Sequence, residues 1–175
     1  NAFSDTITSF AELAQALDLP IDSFDSQVGQ FPLKVPRRFV QKMGKGDIHD
    51  PLLKQVLPTF QETVQVTGFV TDPLDEQHAN PVKGIIHKYA SRVLIPVTGA
   101  CVVNCRYCFR QHFDYHENLP TQNDWQAISA YITAHPAVNE VILSGGDPLS
   151  LSNRRLLEIF TTLEALPQVQ TIRIH

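Results

Sequence analysis

Short apolar runs alternate with amphipathic segments in the second half of the chain. Residues 92–98, 140–143 and 171–174 are apolar runs of strand length. Residues 123–135 and 154–166 lie between them and carry apolar side chains at helical spacing. Strands joined by helices run parallel, because each helix returns the chain to the edge of the sheet where it began. The pattern therefore predicts an α/β fold with a parallel sheet in this half.

The first half of the chain lacks this alternation and has the pattern of short helices joined by proline-containing connectors. The expected helices cover residues 4–19, 22–30, 37–43 and 50–58. Prolines favour an extended connector over 31–36, and a long irregular stretch follows at 68–84. We therefore expect a mainly helical or irregular N-terminal region over residues 1–84 and β/α units over residues 85–175.

Bulk composition narrows the class of protein. The chain has 175 residues, of which 43% are hydrophobic and 18% charged, enough for one domain with a sizeable core. A net charge of -4 argues against a nucleic-acid surface, and no apolar run of about 18 residues predicts a membrane span. The N-terminus lacks the features of a secretory signal. The missing signal and the odd number of cysteines together favour the reducing cytoplasm as the location of the protein.

All three cysteines lie within eight residues, directly after the first predicted strand. Cys101, Cys105 and Cys108 have the spacing C-x3-C-x2-C in the segment CVVNCRYC. Clustered thiols are typical of metal or cluster binding, whereas core cysteines are usually scattered. Three thiolates can hold three irons of a [4Fe–4S] cluster and leave the fourth iron open to a small molecule. We favour this hypothesis for the segment.

Two other uses of these thiols stay open on spacing alone. A structural zinc ion needs a fourth ligand, which His112 could supply, with His87 and His116 as further candidates. A zinc-binding interaction module is therefore the alternative from another functional class. A disulfide would leave one thiol over.

The second predicted strand runs into the loop SGGDP, which contains Ser144, Gly145, Gly146 and Asp147. Paired glycines let a ligand approach the backbone closely, and Asp147 could accept a hydrogen bond from an amine. The simpler interpretation is a tight strand-to-helix turn that Asp147 caps. This loop and the cysteine segment both follow the carboxyl ends of predicted strands, where folds of this class place their chemistry.

The chain stops at His175, directly after its third predicted strand. Three strands are too few to close a barrel. We therefore expect the sequence to be the N-terminal portion of a longer protein.

Six segments together resemble the lysine 2,3-aminomutase family of radical S-adenosylmethionine enzymes. They are DPLLKQVLP, GFVTDPLDE, PVKGIIHKYASRVLIPVT, CVVNCRYCFRQHFDY, SGGDPL and TIRIH. The resemblance implies a partial (β/α)6 TIM-like barrel, of which this chain would form the first part after its mainly helical N-terminal region. It also implies an isomerase that converts L-α-lysine to β-lysine by migration of the 2-amino group.

The resemblance extends to one branch of the family. Phe109 and Asn104 are similar to the branch that makes β-lysine for the modification of elongation factor P. The alternative is the branch that degrades free lysine. Gln111 and Asp114 depart from the family pattern CRYCFRRHFPY. The implied partners are lysine as substrate and the elongation factor P pathway, in the cytoplasm.

The resemblance also implies roles around the cluster. Cys101, Cys105 and Cys108 would hold the [4Fe–4S] cluster, whose open iron binds S-adenosylmethionine and cleaves it reductively to a 5′-deoxyadenosyl radical. Tyr107 matches an aromatic position beside the adenine. Ser144, Gly145, Gly146 and Asp147 match the loop that receives the methionine amino group. Arg110 matches a residue that pairs with the lysine carboxylate, an anion suited to a guanidinium group.

The family's further cofactor is pyridoxal 5′-phosphate. Lys88 and Tyr89 match a segment near its phosphate group. The Schiff-base lysine of the family belongs to its C-terminal region, and we find no counterpart in this sequence. We therefore expect that this chain alone does not turn over lysine.

Overall fold

The computed structural model describes residues 5–24, 32–108 and 110–175. The chain forms two compact units. The first unit draws its described residues from 1–71 and 102–111, and the second from 72–101 and 112–175. The chain thus passes from the second unit into the first between Cys101 and Val102, and returns after Gln111.

Short elements and turns build the first unit. Its strands and helices are β1 (Thr6–Ile7), α1 (Phe10–Ala16), β2 (Val35–Pro36) and α2 (Arg37–Val40). β1 and β2 pair antiparallel. Single turns of 3-10 helix lie at Ile21–Ser23, Leu53–Gln55 and Phe60–Thr63. The buried core includes Leu13, Leu17, Val35, Val40, Leu53 and Val56.

The helices predicted for this unit were too long. Residues 6–7 pair as a strand, so the predicted helix over 4–19 is confined to α1. The predicted helix over 37–43 ends at Val40. The segment 50–58 forms only the 3-10 turn Leu53–Gln55. The segment 22–30 begins with the turn Ile21–Ser23, and its residues 25–30 lie outside the described part of the chain.

A four-stranded sheet and two longer helices build the second unit. Its strands are β3 (Ile86–Tyr89), β4 (Arg92–Thr98), β5 (Glu140–Gly145) and β6 (Thr171–Ile174), in the spatial order β3-β4-β5-β6. Its helices are α3 (Tyr115–Asn118), α4 (Asp124–Ala134) and α5 (Asn153–Glu164). β4, β5 and β6 pair parallel, which confirms the predicted α/β fold with a parallel sheet.

Local sequence explains where the two longer helices begin. The Asp124 carboxylate accepts hydrogen bonds from the N–H and the hydroxyl of Thr121, both at 2.7 Å. The Ser152 hydroxyl caps α5 by accepting a hydrogen bond from the N–H of Arg155.

The apolar faces of α4 and α5 pack with β4 and β5 into one core. This core includes Val93, Ile95, Ile128, Ile132, Val141, Leu143, Ile159 and Leu163.

Strand β3 was missed by the sequence analysis. It pairs antiparallel with β4 through Ile86↔Leu94 and Tyr89↔Arg92, and the register is irregular between these two pairs. Its sequence, IHKY, contains too few apolar residues to show a strand period.

In the part of the chain that the structure describes, no helix is both long and apolar enough to cross a lipid bilayer.

Asp50 organises the turns of the first unit that replace the predicted helix. Its carboxylate accepts three backbone hydrogen bonds, from the N–H groups of Gly44 (2.9 Å), Leu52 (2.8 Å) and Leu53 (2.9 Å). These three bonds lower the pKa of Asp50 below its usual value, and the bond from Gly44 has the largest effect. The folded chain therefore favours the ionised carboxylate.

We predict that Asp50→Asn lowers the urea midpoint of unfolding at pH 7, because the amide group would direct a donor at a backbone N–H. The folded pKa is depressed, so the stabilisation by Asp50 is complete above the unfolded pKa of about 3.9 and is lost as the pH falls through the folded pKa. The gap between the midpoints of wild type and variant should therefore shrink between pH 7 and pH 3, when followed by circular dichroism.

Asp47→Asn is the matched control for this experiment. Asp47 is exposed and accepts a single backbone hydrogen bond, from His49. A midpoint of Asp50→Asn equal to that of wild type at pH 7, or a gap that is unchanged at pH 3, would contradict the assignment.

Candidate functional site

The first part of the cysteine segment and the SGGDP loop leave neighbouring strands of the second unit at the same edge. β4 ends at Thr98, which pairs with Gly145 at the end of β5 after an irregularity in the register between Pro96 and Thr98. Two backbone hydrogen bonds continue the pairing beyond the strands. The N–H of Gly146 donates to the Thr98 carbonyl (2.6 Å), and the N–H of Asp147 donates to the Ala100 carbonyl (2.8 Å). The two loops are therefore in direct contact.

This contact explains the paired glycines. Gly145 has a φ of +119°, and a Cβ atom added there would lie 2.3 Å from the Thr98 carbonyl oxygen. A Cβ atom on Gly146 would lie 2.4 Å from the Ala100 carbonyl oxygen. Both distances are far below van der Waals contact, so any side chain would force the loops apart. Close packing between two segments of the chain thus requires the glycines, whatever ligand the loop also receives.

Asp147 caps the turn that follows β5. Its carboxylate accepts a hydrogen bond from the N–H of Leu149 (2.9 Å), at the start of the 3-10 turn Pro148–Ser150. This is the capping geometry that the sequence analysis considered as the simpler interpretation. Ser144 is buried at the end of β5. A role of either side chain toward a ligand stays a prediction.

Residues 102–111 belong to the first unit, where backbone contacts hold the middle of the cysteine segment. Val103 packs against the apolar core of this unit. The N–H of Asn104 donates to the Lys34 carbonyl (2.9 Å), and its side-chain amide donates to the Pro32 carbonyl (2.9 Å). Asn104 therefore fixes the backbone immediately before Cys105.

Arg106 makes the most extensive contacts of the segment, and sequence reasoning gave it no role. Its N–H donates to the Gln55 carbonyl (2.7 Å). Its guanidinium group forms an ion pair with Glu62 (2.5 Å) and donates to the Thr59 hydroxyl (3.0 Å). Thr59 and Glu62 form a capping box, a pattern that is visible in the sequence as T-x-x-E. The pairing with Arg106, more than forty residues away, is not visible there.

Cys105 and Cys108 share one turn, because the N–H of Cys108 donates to the Cys105 carbonyl (3.0 Å). Burial raises the pKa of the Cys105 thiol, and the neighbouring Cys108 raises it further. A hydrogen bond with Tyr107 opposes this shift in the pKa. A cationic metal centre would reverse the balance, because it binds the thiolate and displaces the proton. Tyr107 itself is 70% exposed.

The three cysteines suit an iron–sulfur cluster by their donor chemistry. All three are half-buried, and none forms a disulfide. Cys101 lies at the sheet edge of the second unit, and the other two lie in the first unit. Among the described residues, no group of three or more His, Cys, Asp or Glu side chains is arranged as a metal site. The ligand set, whether for a cluster or for zinc, therefore stays a prediction.

The histidines considered for zinc have varied surroundings. His112 is exposed. His116 is also exposed and lies 3.1 Å from the Glu117 carboxylate. His87 shares a hydrogen bond of 2.7 Å with the Tyr131 hydroxyl. None of these contacts directs a histidine to a metal, so they add no support for the zinc alternative.

Arg110 is 7% exposed, so its guanidinium group is buried in the first unit. Buried arginines are rare, because taking the charge out of water is costly unless a partner compensates it. The simplest alternative to a functional role, a solvated arginine on the surface, therefore does not describe this residue.

Lys88 and Tyr89 lie on β3, at the edge of the sheet in the second unit. The Lys88 ammonium group donates a hydrogen bond to the Leu74 carbonyl. The Tyr89 ring is largely exposed, and the Arg92 guanidinium group lies 5.7 Å from its centre. An ammonium, a guanidinium and a phenol group therefore lie within one hairpin. The proposed role of Lys88 and Tyr89 toward a phosphate stays a prediction.

Comparison with known proteins identifies relatives of the chain. The family described as a 4Fe-4S single cluster domain matches residues 90–172. The L-lysine 2,3-aminomutase of Haemophilus influenzae is 46% identical over 166 residues, 93% of this chain and 49% of the relative. The enzyme of that name from Escherichia coli K12 is 45% identical over 176 residues, 98% of this chain and 51% of the relative.

A more distant relative is the L-lysine 2,3-aminomutase of Clostridium subterminale. It is 36% identical over 138 residues, which are 78% of this chain and 33% of the relative. The chain spans about half the length of the first two relatives. The match to the Escherichia coli relative covers 98% of the chain, and the family match over residues 90–172 contains the cysteine segment and the SGGDP loop. The chain belongs to the lysine 2,3-aminomutase family.

Proposed function

We propose that this chain is part of a radical S-adenosylmethionine isomerase that converts L-α-lysine to β-lysine. The observation that carries the proposal is the contact between the SGGDP loop and the residues leading into Cys101, within a sequence 45–46% identical to two L-lysine 2,3-aminomutases. Family membership supports the expected cofactors: a [4Fe–4S] cluster, S-adenosylmethionine and pyridoxal 5′-phosphate.

The proposed fold of the whole enzyme is a partial (β/α)6 barrel. β4, β5 and β6 would be its first three strands, since they are parallel and α4 and α5 connect them. We also propose the division into an N-terminal extension over residues 1–84 and barrel units over 85–175. Barrel enzymes use the loops at the carboxyl ends of their strands for chemistry, which is the edge where the two special loops begin.

We propose that Cys101, Cys105 and Cys108 hold the cluster. Three thiolates and no fourth ligand leave one iron accessible, which suits a site that must bind a small molecule. When bound, the cluster and S-adenosylmethionine supply the radical that begins the reaction. The contribution of this chain is to hold the thiolates, through the turn of Cys105 and Cys108 and the anchors of Asn104 and Arg106.

The SGGDP loop would bind the methionine end of S-adenosylmethionine. Its two glycines let the loop, which begins at the buried Ser144, pack directly against the residues that lead into Cys101, the proposed cluster ligand. Asp147 would attract the amino group, since one carboxylate can cap the turn and still accept from an amine. The exposed ring of Tyr107 is available to lie against the adenine.

The remaining site residues would bind the substrate and the second cofactor. The buried Arg110 would pair with the lysine carboxylate through two parallel hydrogen bonds. Lys88 and Tyr89 would contact the phosphate group of pyridoxal 5′-phosphate. When bound, this cofactor would hold the migrating amino group of the substrate. Lys88 would have to exchange the neutral Leu74 carbonyl for the charged phosphate, an exchange that strengthens its hydrogen bond.

We propose that the product serves the modification of elongation factor P in the cytoplasm. Phe109 and Asn104 support this branch over free-lysine degradation. Asn104, the residue before Cys105, also has a structural role. It donates hydrogen bonds to two carbonyl groups of the first unit. Loss of the modification in cells that lack the protein would distinguish this branch from the degradative one.

Cys105→Ser should abolish cluster assembly, because serine replaces a soft thiolate by a poor iron ligand. After anaerobic reconstitution, we expect about four iron and four sulfide per wild-type chain and a large loss of both in the variant. Iron and acid-labile sulfide analysis measures the outcome.

His112→Ala distinguishes the cluster from the zinc alternative in the same assay. The cluster hypothesis predicts iron and sulfide contents equal to those of wild type, since His112 is not a proposed ligand. Bound zinc in the wild type that disappears in His112→Ala would instead support the interaction module. Full iron and sulfide in Cys105→Ser would exclude Cys105 as a ligand.

Arg110→Ala should weaken lysine binding by the reconstituted protein by about ten- to a hundredfold, the usual effect of losing hydrogen bonds to a charged group. Arg110→Lys should recover only part of the affinity, because it keeps the charge without the planar fork. Equilibrium dialysis with labelled lysine gives the dissociation constants, and thermal melts test whether each variant is folded.

Arg154→Ala is the matched control for the lysine experiment. Arg154 is an exposed arginine of α5 that pairs with Glu158 at i,i+4 spacing, so its removal should leave the dissociation constant unchanged. A folded Arg110→Ala protein that binds lysine as tightly as wild type would remove Arg110 from the substrate site.

A further inference from the structure

The residues between β4 and the first cysteine are hydrogen-bonded within their own turn and to the next loop. The Thr98 hydroxyl accepts from the N–H of Ala100 (3.1 Å), which closes a tight turn at the end of the strand. The Thr98 carbonyl accepts from the N–H of Gly146 (2.6 Å). Thr98 is 8% exposed, so the hydroxyl group is largely shielded from competing water. Cys101 is the next residue after this turn.

The Ala100 carbonyl accepts two further hydrogen bonds from the other loop. One donor is the N–H of Asp147 (2.8 Å), and the other is the hydroxyl of Ser150 (3.2 Å). The Ala100 carbonyl is part of the peptide unit that joins Ala100 to Cys101, so two donors from the other loop hold this unit. The bond from the Ala100 N–H to Thr98 holds the preceding peptide unit. We call the four hydrogen bonds made by Thr98, Ala100, Gly146, Asp147 and Ser150 the strand-end lock.

We propose that Thr98 and Ser150 are positioning residues that hold Cys101 where a cluster ligand is required. This inference rests on the proposed function, because it assigns Cys101 to the cluster. Two of the four hydrogen bonds in the lock join backbone groups and depend on the glycines. The other two use the hydroxyl groups of Thr98 and Ser150, so these are the positions where a side chain sets the geometry.

The lock also couples two sites that have separate proposed ligands. The donors of Gly146 and Asp147 belong to the loop proposed for the methionine amino group, and their acceptors immediately precede Cys101. A displacement of the SGGDP loop would therefore move the first cysteine. The coupling requires no contact with Cys105 or Cys108, which lie in the first unit.

A purely structural role for the two hydroxyl groups leads to a different expectation. If they only complete the end of β4, their loss lowers the stability of the whole chain. All three thiols then become more reactive together, as the unfolded population rises. If they position Cys101, its thiol alone becomes more reactive under conditions in which the chain stays folded.

Alkylation of the metal-free, reduced chain by iodoacetamide distinguishes the two roles. The variants are Thr98→Val, which keeps the shape and removes the acceptor, and Ser150→Ala. Mass spectrometry of peptides gives the rate for each cysteine, with Cys105 and Cys108 as references within the same molecule. We expect the Cys101 rate to rise about two- to tenfold, the change in an opening equilibrium on losing one ordinary hydrogen bond. The other two rates should stay as in wild type.

Two further variants complete the design. Thr133→Val removes a hydroxyl of α4 that bonds to the Ser129 carbonyl, outside the lock, and should leave all three rates unchanged. Thr98→Ser restores the acceptor and should return the Cys101 rate toward that of wild type. If circular dichroism shows that Thr98→Val does not fold, the partly exposed Ser150→Ala decides the outcome.

Equal Cys101 rates in wild type and both lock variants would overturn the proposal, and so would a parallel rise of all three thiols. Reconstitution of the same proteins separates this inference from the proposed function. A wild-type chain that takes up no iron would contradict the cluster, whereas the alkylation rates still report whether the lock holds Cys101. With the cluster in place, Thr98→Val should shift the electron paramagnetic resonance signal of the reduced cluster, and Thr133→Val should not.

Discussion

The backbones at the ends of β4 and β5 approach so closely that only glycine fits at two successive positions. Thr98 and Gly145 are paired in a parallel ladder, and the hydrogen bonds of Gly146 and Asp147 extend that pairing into the loops. The residues that lead into the cysteine segment are consequently joined to the SGGDP loop by hydrogen bonds.

The cysteine segment is fixed at each end by the unit to which that end belongs. Cys101 follows the sheet edge of the second unit, and hydrogen bonds of Ala100 hold it there. Cys105 and Cys108 share a turn in the first unit, anchored by Asn104 and by the contacts of Arg106 with Thr59 and Glu62. Such supports would matter for the proposed thiolate ligands, because groups outside the ligand sphere set the orientation and electronic properties of a metal centre.

Sequence patterns predicted β4, β5, β6, α4 and α5 well, because the three strands are short runs rich in apolar residues and both helices have one apolar face. Their bounds differ from the predictions by at most two residues. The first unit was less predictable, because hydrogen bonds to single side chains such as Asp50 replace regular helix there. The edge strand β3 and the partners of Arg106 depend on distant contacts, for which local patterns carry no signal. The spacing of the cysteines suggested the chemistry, but their supports became visible only in three dimensions.

The central claim is that three cysteines hold a [4Fe–4S] cluster whose fourth iron is open to S-adenosylmethionine. Mössbauer spectroscopy of the chain reconstituted with ⁵⁷Fe tests it directly, because the method resolves irons with different ligands. On addition of S-adenosylmethionine, we predict that about one quarter of the iron signal changes its isomer shift, as expected for one distinct site among four. A spectrum that S-adenosylmethionine leaves unchanged, or iron bound without sulfide, would contradict the claim.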